Sequence, residues 1–293
     1  MIDDLVLNFN KANVIYINIT LALIMFGIAL NLTIDNFKSV FRTPRKVILG
    51  LLSQLVLLPL FTYALILITT PIPSIALGMI LVASCPGGNI SNFISSLAKA
   101  NVELSISLTS ITSVASILFT PLNFLFYGNL YPPAQKILRE ITLEWLEVFQ
   151  TIAMIIIIPI ILGMLTKKHF NQLALKLSKP MEIGSMMMFL LIVIGAFITN
   201  MDNFLACISA VFLLVLLHNG GALLIGYWTA KLGKLPQKDR KSLCIETGIQ
   251  NSGLGLLLIF TFFEGLGGMA IITAWWSIWH IISGITIASI WRK

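Results

Sequence analysis

The stretches CPGGNISN at Cys85–Asn92 and ETGIQNSG at Glu246–Gly253 each interrupt a long apolar segment with small, polar, helix-breaking residues. In the hydrocarbon of a membrane an unpaired backbone group costs several kcal/mol, so a helix break survives only where protein buries it or water reaches it. One such break in each half of a chain is typical of secondary transporters, which bind their cargo where two repeats meet. The two stretches therefore predict a transport site inside the protein.

The composition is that of a membrane protein. Hydrophobic residues make up 57% of the chain and charged residues only 11%, whereas a soluble domain carries about 25% charged residues. Apolar runs of about 20 residues, long enough to cross about 30 Å of hydrocarbon, recur along the sequence. The net charge of +7 is spread over short loops between these runs. That pattern sets membrane topology and argues against a nucleic-acid partner.

The hydropathy pattern predicts an all-α polytopic membrane protein with nine transmembrane helices. We place these spans at 14–31, 47–68, 74–98, 103–127, 143–166, 181–199, 204–230, 242–263 and 269–291. The loops then fall into two sets, and 16 of the 19 Lys and Arg residues lie in one of them. Because basic residues concentrate in cytoplasmic loops, the N-terminus is predicted outside and the C-terminus in the cytoplasm.

A weak internal repeat relates the two halves of the chain. The first span ends IALNLTIDNF (Ile28–Phe37) and the sixth ends IGAFITNMDNF (Ile194–Phe204). Each is followed by an apolar helix, a loop and an interrupted helix. The first and sixth spans cross the membrane in opposite directions, so the pattern predicts an inverted-topology repeat in which two discontinuous helices cross near the midplane.

The first interruption combines a helix breaker with residue types that start a new helix. Pro86 has no amide hydrogen and clashes with the preceding turn, and each glycine after it costs about 1 kcal/mol of helix propensity. The capping types that follow are Asn89, Ser91 and Asn92. A half-helix beginning here would offer free amides to an anion, and the freed carbonyls would suit a small cation. The alternative is a simple proline kink.

The second interruption contains an acid within an apolar run. Glu246 lies five residues beyond the basic loop that ends at Lys241, or about 7.5 Å along a helix. No Lys or Arg falls deep within any predicted span, so the Glu246 carboxylate must be protonated, bind a cation or reach back to Lys241. An acid inside the membrane is by default a candidate for function.

Hydroxyl groups on the fourth span extend this polar set. Ser105 and Thr109 are four residues apart, so they share a helix face that could turn toward Ser91 and Asn92. The alternative is that they are hydrogen-bonding contacts between helices. Together with Glu246 they form an oxygen-only ligand set, which a hard cation prefers.

At these residues the chain resembles the bile acid:sodium symporter family, and in particular its bacterial members. The similarity runs from IMFGIALNLTIDNF (Ile24–Phe37) to SIWHIISG (Ser277–Gly284). The resemblance implies a panel domain formed by 14–31 and 143–199 and a core domain formed by 47–127 and 204–291. The two interrupted helices would cross in the core.

The resemblance also implies two sodium sites and a substrate site beside them. The first sodium site would use Ser91, Asn92, Ser105, Thr109 and Glu246. The second would use Gln54, Glu246, Gln250 and the backbone carbonyls of Thr247 and Ile249. Asn89, Asn251 and His280 would face an organic anion. Ile281 follows His280 where the family often has Asn, so that polar contact is absent in this chain.

The sequence therefore predicts a sodium-coupled symporter of an organic anion, such as a bile acid or a small pantothenate-like carboxylate. We expect it to act as a monomer in the plasma membrane, the inner membrane of a bacterium, by moving core against panel. The alternative is a proton-coupled or efflux carrier in which Glu246 titrates. A receptor or an intramembrane enzyme is disfavoured because no soluble domain and no nucleophile–base pair are evident.

Overall fold

The computed structural model describes residues 11–30, 42–140, 150, 153–199 and 201–292, and every regular element in these ranges is a helix. This confirms the predicted all-α fold. The main helices are α1 (Lys11–Ala29), α2 (Pro44–Thr69), α3 (Pro73–Ser84), α4 (Ile90–Leu97), α5 (Val102–Leu130), α6 (Gln135–Glu140), α7 (Ile158–His169), α8 (Asn171–Thr199), α9 (Met201–Leu232), α10 (Gln237–Gly248), α11 (Ser252–Phe262) and α12 (Gly267–Arg292). A π-helical turn, Ser53–Leu57, lies within α2, and another, Ala153–Ile157, leads into α7.

Several helices are built to face lipid. In the described ranges, the helices long and apolar enough to cross a membrane are Pro44–Thr69, Val102–Leu130, Val211–Leu232 and Gly267–Arg292, and shorter apolar helices are Asn18–Gly27, Pro73–Ser84 and Ser252–Phe262. Large apolar side chains are exposed on them; Ile68 is 80% exposed and Leu232 is 76% exposed. Extended exposed apolar surface of this kind suits a membrane.

The count of nine spans and the inverted repeat stay predictions. Most of the first copy of the repeat, Ile28–Phe37, lies outside the described residues, as does much of the predicted fifth span at 143–166. In the second copy, 194–204, α8 ends at Thr199 and α9 begins at Met201.

The predicted loop before the sixth span is wrong. The sequence predicts that span at 181–199, but α7 runs to His169, and α8 begins at Asn171 and continues through Pro180 to Thr199. Membrane proteins tolerate a proline inside a helix where neighbouring groups satisfy the carbonyl that it frees. The lysines between 171 and 180 therefore lie on a helix that extends beyond the apolar segment.

The helices that lead into the two interruptions are held by close backbone contacts. Every residue of α3 from Ser74 to Ser84 is buried. A Cβ atom at Gly78 would lie 2.9 Å from Cα of Met269 on α12, and one at Gly226 of α9 would lie 2.8 Å from Cα of Cys244 on α10. Small residues allow membrane helices to approach this closely. Both helices are thereby fixed next to the site.

Candidate ion and substrate site

The two interruptions meet and satisfy each other's backbone groups. α3 ends at Ser84 and α4 begins at Ile90, while α10 ends at Gly248 and α11 begins at Ser252. Between them, the amide of Gly88 donates to the carbonyl of Ile249 at 2.7 Å, and the amide of Asn251 donates to the carbonyl of Pro86 at 2.8 Å. These bonds form one antiparallel β-bridge. The predicted contact between the interruptions is confirmed.

Two glycines allow the interruptions to come this close. A Cβ atom at Gly88 would lie 2.8 Å from the carbonyl oxygen of Gln250. One at Gly87 would collide with Oε1 of Glu246 and would lie 3.0 Å from Nε2 of Gln54. The glycines are therefore needed for space at the crossing, where any side chain would displace the backbone of one strand or the carboxylate beside it.

The Glu246 carboxylate is buried, with 1% of the residue exposed, and accepts three hydroxyl hydrogen bonds. Ser91 and Ser105 donate to Oε2 at 2.6 and 3.0 Å, and Thr109 donates to Oε1 at 2.7 Å. Thr109 Oγ1 also lies 3.3 Å from Oδ1 of Asn92. The structure thus brings together all five residues of the first predicted sodium site, drawn from α4, α5 and α10.

The reach-back alternative for Glu246 is wrong. The ammonium group of Lys241 instead donates to the backbone carbonyls of Ala98 and Trp291, both at 3.0 Å, at the ends of α4 and α12. Within the described part of the chain, no basic side chain pairs with Glu246. Burying a charge without a counter-charge is costly even when it is hydrogen-bonded. A cation bound beside Glu246 would therefore stabilise the charged carboxylate.

Residues of the second predicted sodium site also lie in contact with one another. Nε2 of Gln54 lies 3.3 Å from Oε1 of Gln250, whose own Nε2 donates to the carbonyl of Thr247 at 2.8 Å. The carbonyl of Ile249 already accepts the bridge hydrogen bond from Gly88. Oε1 of Gln54 is buried without a partner among the described residues. An unpaired buried acceptor beside a carboxylate fits a cation better than it fits a closed hydrogen-bond network.

The π-helical turn of α2 presents Gln54 to the site. The sequence analysis named Gln54 but did not predict this turn. Pro59 has no amide hydrogen, so the carbonyl of Leu55, four residues earlier, loses its usual α-helical donor. Asn123 of α5 supplies a donor instead, with its Nδ2 at 2.9 Å from that carbonyl. Ser53, in the same turn, hydrogen-bonds Thr247 at 2.8 Å. A proline after a polar residue was the available signal.

The three predicted substrate residues have different environments. Asn251 caps α11, because its side chain accepts from the amide of Leu254 at 3.1 Å, and it is partly exposed. Asn89 precedes α4 and is partly exposed, but its side chain makes no capping hydrogen bond, so that predicted cap is wrong. His280 on α12 is 4% exposed, and its Nδ1 has no partner in the described ranges. The asparagines flank the crossing.

Asn219 of α9 is a further residue that the sequence did not reveal. Its Nδ2 donates to the carbonyl of Gly248 at 2.7 Å, and its Oδ1 accepts from Ser283 of α12 at 2.6 Å. Ser283 in turn lies 3.1 Å from the carbonyl of His280. The side chain therefore ties the end of α10 to the helix that carries His280. A polar residue within the apolar run of α9 was the only signal.

Comparison with known proteins gives a consistent result. A sequence profile described as Sodium Bile acid symporter family matches residues 18–207. The chain is 35% identical over 283 residues to a Bacillus subtilis (strain 168) protein named "Uncharacterized sodium-dependent transporter YocS", and the match covers 95% of this chain and 83% of that protein.

More distant relatives come from plants and animals. The chain is 28% identical to the Arabidopsis thaliana protein named "Probable sodium/metabolite cotransporter BASS1, chloroplastic", with 93% of this chain and 66% of that protein matched. It is 31% identical to the Homo sapiens "P3 protein", with 86% of this chain and 52% of that protein matched. The chain thus spans about two thirds or less of the length of these two relatives.

Proposed function

Because this chain belongs to the sodium bile acid symporter family, whose members are sodium-dependent transporters and not enzymes, we propose that it couples sodium entry to the uptake of an organic anion. The observation that carries the proposal is the buried Glu246 carboxylate at the crossing, surrounded by oxygen ligands and without a basic partner in the described ranges. A monovalent hard cation supplies the missing charge there.

Two sodium ions would occupy neighbouring positions that share Glu246. One position uses the hydroxyl and amide oxygens around the carboxylate, from Ser91, Asn92, Ser105 and Thr109. The other uses the side chains of Gln54 and Gln250 with the carbonyls of Thr247 and Ile249. Each hydroxyl that now donates to Glu246 can rotate and turn a lone pair toward an ion. The second position is supported by the unpaired Oε1 of Gln54.

The organic anion would bind at the crossing, where α4 and α11 begin. The amino ends of helices attract negative charge, and Asn89 and Asn251, both partly exposed, lie there. His280 would close the site from α12. The arginines, at positions 42, 45, 139, 240 and 292, all lie outside the predicted spans, so none is expected to clamp a carboxylate at the crossing. We therefore propose a small carboxylate or a bile acid, bound with broad tolerance.

Transport would follow from movement of the core domain, 47–127 and 204–291, against the panel domain, 14–31 and 143–199. Packing supports this division, because α1 contacts α7 and α8 extensively. A Cβ atom at Gly163 of α7 would lie 2.8 Å from the carbonyl of Phe26, so these panel helices pack at backbone distance. We propose a monomer in the bacterial inner membrane, with the N-terminus outside and the C-terminus in the cytoplasm.

The direct test is sodium-dependent thermal stabilisation and transport by the wild type and by Glu246→Gln. We expect sodium, compared with potassium, to raise the unfolding temperature of the wild type, and we expect the variant to lose both this shift and sodium-driven uptake. Ligand binding at 100 times Kd stabilises a fold by about 2.7 kcal/mol, so the shift is measurable. The matched control is Glu103→Gln, since Glu103 is an exposed acid in the first turn of α5.

Uptake in sodium-free buffer driven by a pH gradient, lost in Glu246→Gln, would instead support the proton-coupled carrier. Normal sodium-driven uptake by that variant would remove Glu246 from the ion site.

A further inference from the structure

A line of polar residues leads from Glu246 to the start of α10. On α10, Asp239, Ser242 and Glu246 follow one another at intervals of three and four residues, so they share one helix face. At the start of α5, Asn101 and Ser105 are four residues apart and face them. Asp239, Ser242 and Ser105 are each at most 2% exposed. We call these five residues the polar ladder.

Successive members of the polar ladder are in direct contact. Nδ2 of Asn101 donates to Oδ1 of Asp239 at 2.7 Å, and Ser242 donates to the backbone carbonyl of Asn101 at 2.8 Å. One turn further along, Ser105 donates to Glu246 at 3.0 Å. The ladder therefore offers oxygen atoms at each turn of the two helices, between the start of α10 and the Glu246 carboxylate at the crossing.

A partly exposed lysine covers the end of the polar ladder that lies away from Glu246. Nζ of Lys46 lies 2.7 Å from Oδ2 of Asp239, and the Lys46 side chain is 31% exposed whereas that of Asp239 is 2% exposed. Lys46 lies in the first turn of α2, next to one of the basic loops that the sequence predicts to be cytoplasmic. The buried carboxylate of Asp239 is thus covered by a cation that reaches water.

We propose that the polar ladder is the path by which sodium leaves the Glu246 site toward the cytoplasm, and that the Lys46–Asp239 ion pair is its gate. This inference rests on the proposed function, because it needs sodium at Glu246. A hard cation requires oxygen ligands throughout its path. The ladder supplies hydroxyl and carbonyl oxygens, and it ends on a second buried carboxylate.

The gate works by competition for one carboxylate. While Lys46 is paired with Asp239, its positive charge neutralises the acid and repels a sodium ion in the ladder. The long flexible stem of lysine allows the ammonium group to move into water. Asp239 then attracts the ion from Glu246 and passes it to solvent. Return of Lys46 restores the closed state.

The test must distinguish a gating role of the Lys46–Asp239 ion pair from a purely structural one. α10 is already fastened at this end by Lys241, which donates to the carbonyls of Ala98 and Trp291. Lys46→Met leaves the buried Asp239 carboxylate without its cation, which destabilises a fold, so the unfolding temperature measured in potassium reports any structural loss. Lys241→Met is therefore the matched control, because it removes a cation from the same region of the fold without touching the polar ladder.

The experiment uses the full chain in proteoliposomes loaded with radioactive sodium. Release of sodium is measured for the wild type, Lys46→Met, Lys46→Arg and Lys241→Met, and for the double variant Lys46→Met with Asp239→Asn. Sodium-dependent thermal stabilisation is measured on the same proteins. We expect Lys46→Met to release sodium about tenfold faster, which corresponds to a barrier lower by about 1.4 kcal/mol. Its sodium-dependent stabilisation should change little.

The remaining variants separate the gate from a loosened fold. Lys46→Arg keeps the ion pair and should release sodium at the wild-type rate, as should Lys241→Met. The double variant lacks the carboxylate that draws the ion outward, so it should lose the acceleration. Wild-type release by Lys46→Met, or equal acceleration in the double variant, would overturn the gate. A wild type that sodium does not stabilise would instead refute the proposed function.

Discussion

Gly88 lies at the contact between the two interruptions and has no room for a side chain. A Cβ atom there would lie 2.8 Å from the carbonyl oxygen of Gln250 and 3.1 Å from its carbonyl carbon. Both atoms belong to the backbone of Gln250, which lies between the two residues that hydrogen-bond the first interruption, Ile249 and Asn251. The steric demand at this residue is therefore coupled to the geometry of the ion site, since Gln250 is one of its proposed ligands.

We expect Gly88→Ala to destabilise the protein by about 1–3 kcal/mol, the usual cost of overpacking a well-packed interior. It should also weaken sodium-dependent stabilisation, because the Gln250 backbone must move. Thermal unfolding in sodium and in potassium measures both effects. The matched control is Gly184→Ala in α8, where a Cβ atom meets nothing within 4 Å. Equal unfolding temperatures for the two variants would contradict this account of the crossing.

At the scale of elements, the two π-helical turns have the same sequence context. Ser53–Leu57 is followed by Leu58 and Pro59, and Ala153–Ile157 is followed by Ile158 and Pro159. In each case a proline withholds a backbone donor from the turn before it. Turns of this kind often lie at functional sites. The turn in α2 directs Gln54 and Ser53 toward α10.

Asn123→Leu tests whether this turn matters to the ion site. The variant removes the donor to the carbonyl of Leu55, and we expect it to cost about 1–3 kcal/mol because that buried carbonyl loses its side-chain partner. The apparent sodium affinity, measured by thermal shift, should fall as Gln54 moves. Asn129→Leu is the control on the same helix, since the side chain of Asn129 is exposed and donates only to the carbonyl of Leu125 in α5. Unchanged sodium affinity in Asn123→Leu would separate the turn from ion binding.

At the scale of the whole molecule, the ion ligands and the helix starts proposed for the anion lie on the same crossing. Asn219 adds a connection, because it bonds the carbonyl of Gly248 and Ser283 of α12. Sodium bound at Glu246 would hold α4, α5 and α10 in one arrangement. The anion would then bind a site that is already formed, and the two ligands would raise each other's affinity by the same factor.

This predicts that a transported anion stabilises the protein more in sodium than in potassium. A thermal-shift screen of small carboxylates and steroidal acids in both salts would identify such a ligand, and binding measurements should then give about 5–150-fold higher affinity in sodium. Glu246→Gln serves as the control and should bind the ligand equally in both salts. Equal affinity for the wild type in sodium and potassium would refute coupling.

The sequence predicted those parts of the site that follow from local chemistry. Helix-breaking residues in an apolar segment require a partner, and the one available to each interruption is the other, so Pro86 and Asn251 could be expected to meet. The acid at Glu246 and the hydroxyls at Ser105 and Thr109 followed from polarity and spacing. In each case the residue type itself carries the physical constraint.

Other features depended on neighbours that one sequence does not reveal. The π-helical turn arises from Pro59 together with Asn123 on another helix, and the role of Asn219 depends on a carbonyl freed 29 residues away. The segment 167–180, which carries four lysines, was predicted as a loop, although most of it belongs to the helix that continues through Pro180. These outcomes are set by tertiary contacts, which override local propensity.

The β-bridge at the crossing has a consequence for how such a protein can evolve. Each strand of the bridge supplies both a donor and an acceptor to the other, through Gly88 with Ile249 and Asn251 with Pro86. A mutation that shifts one strand leaves the opposite strand unpaired within the bilayer, so selection would accept it only with a compensating mutation in the other half of the gene. We therefore expect the two stretches to be inherited as matched pairs, and a chimera that combines unmatched stretches from distant homologues should not fold.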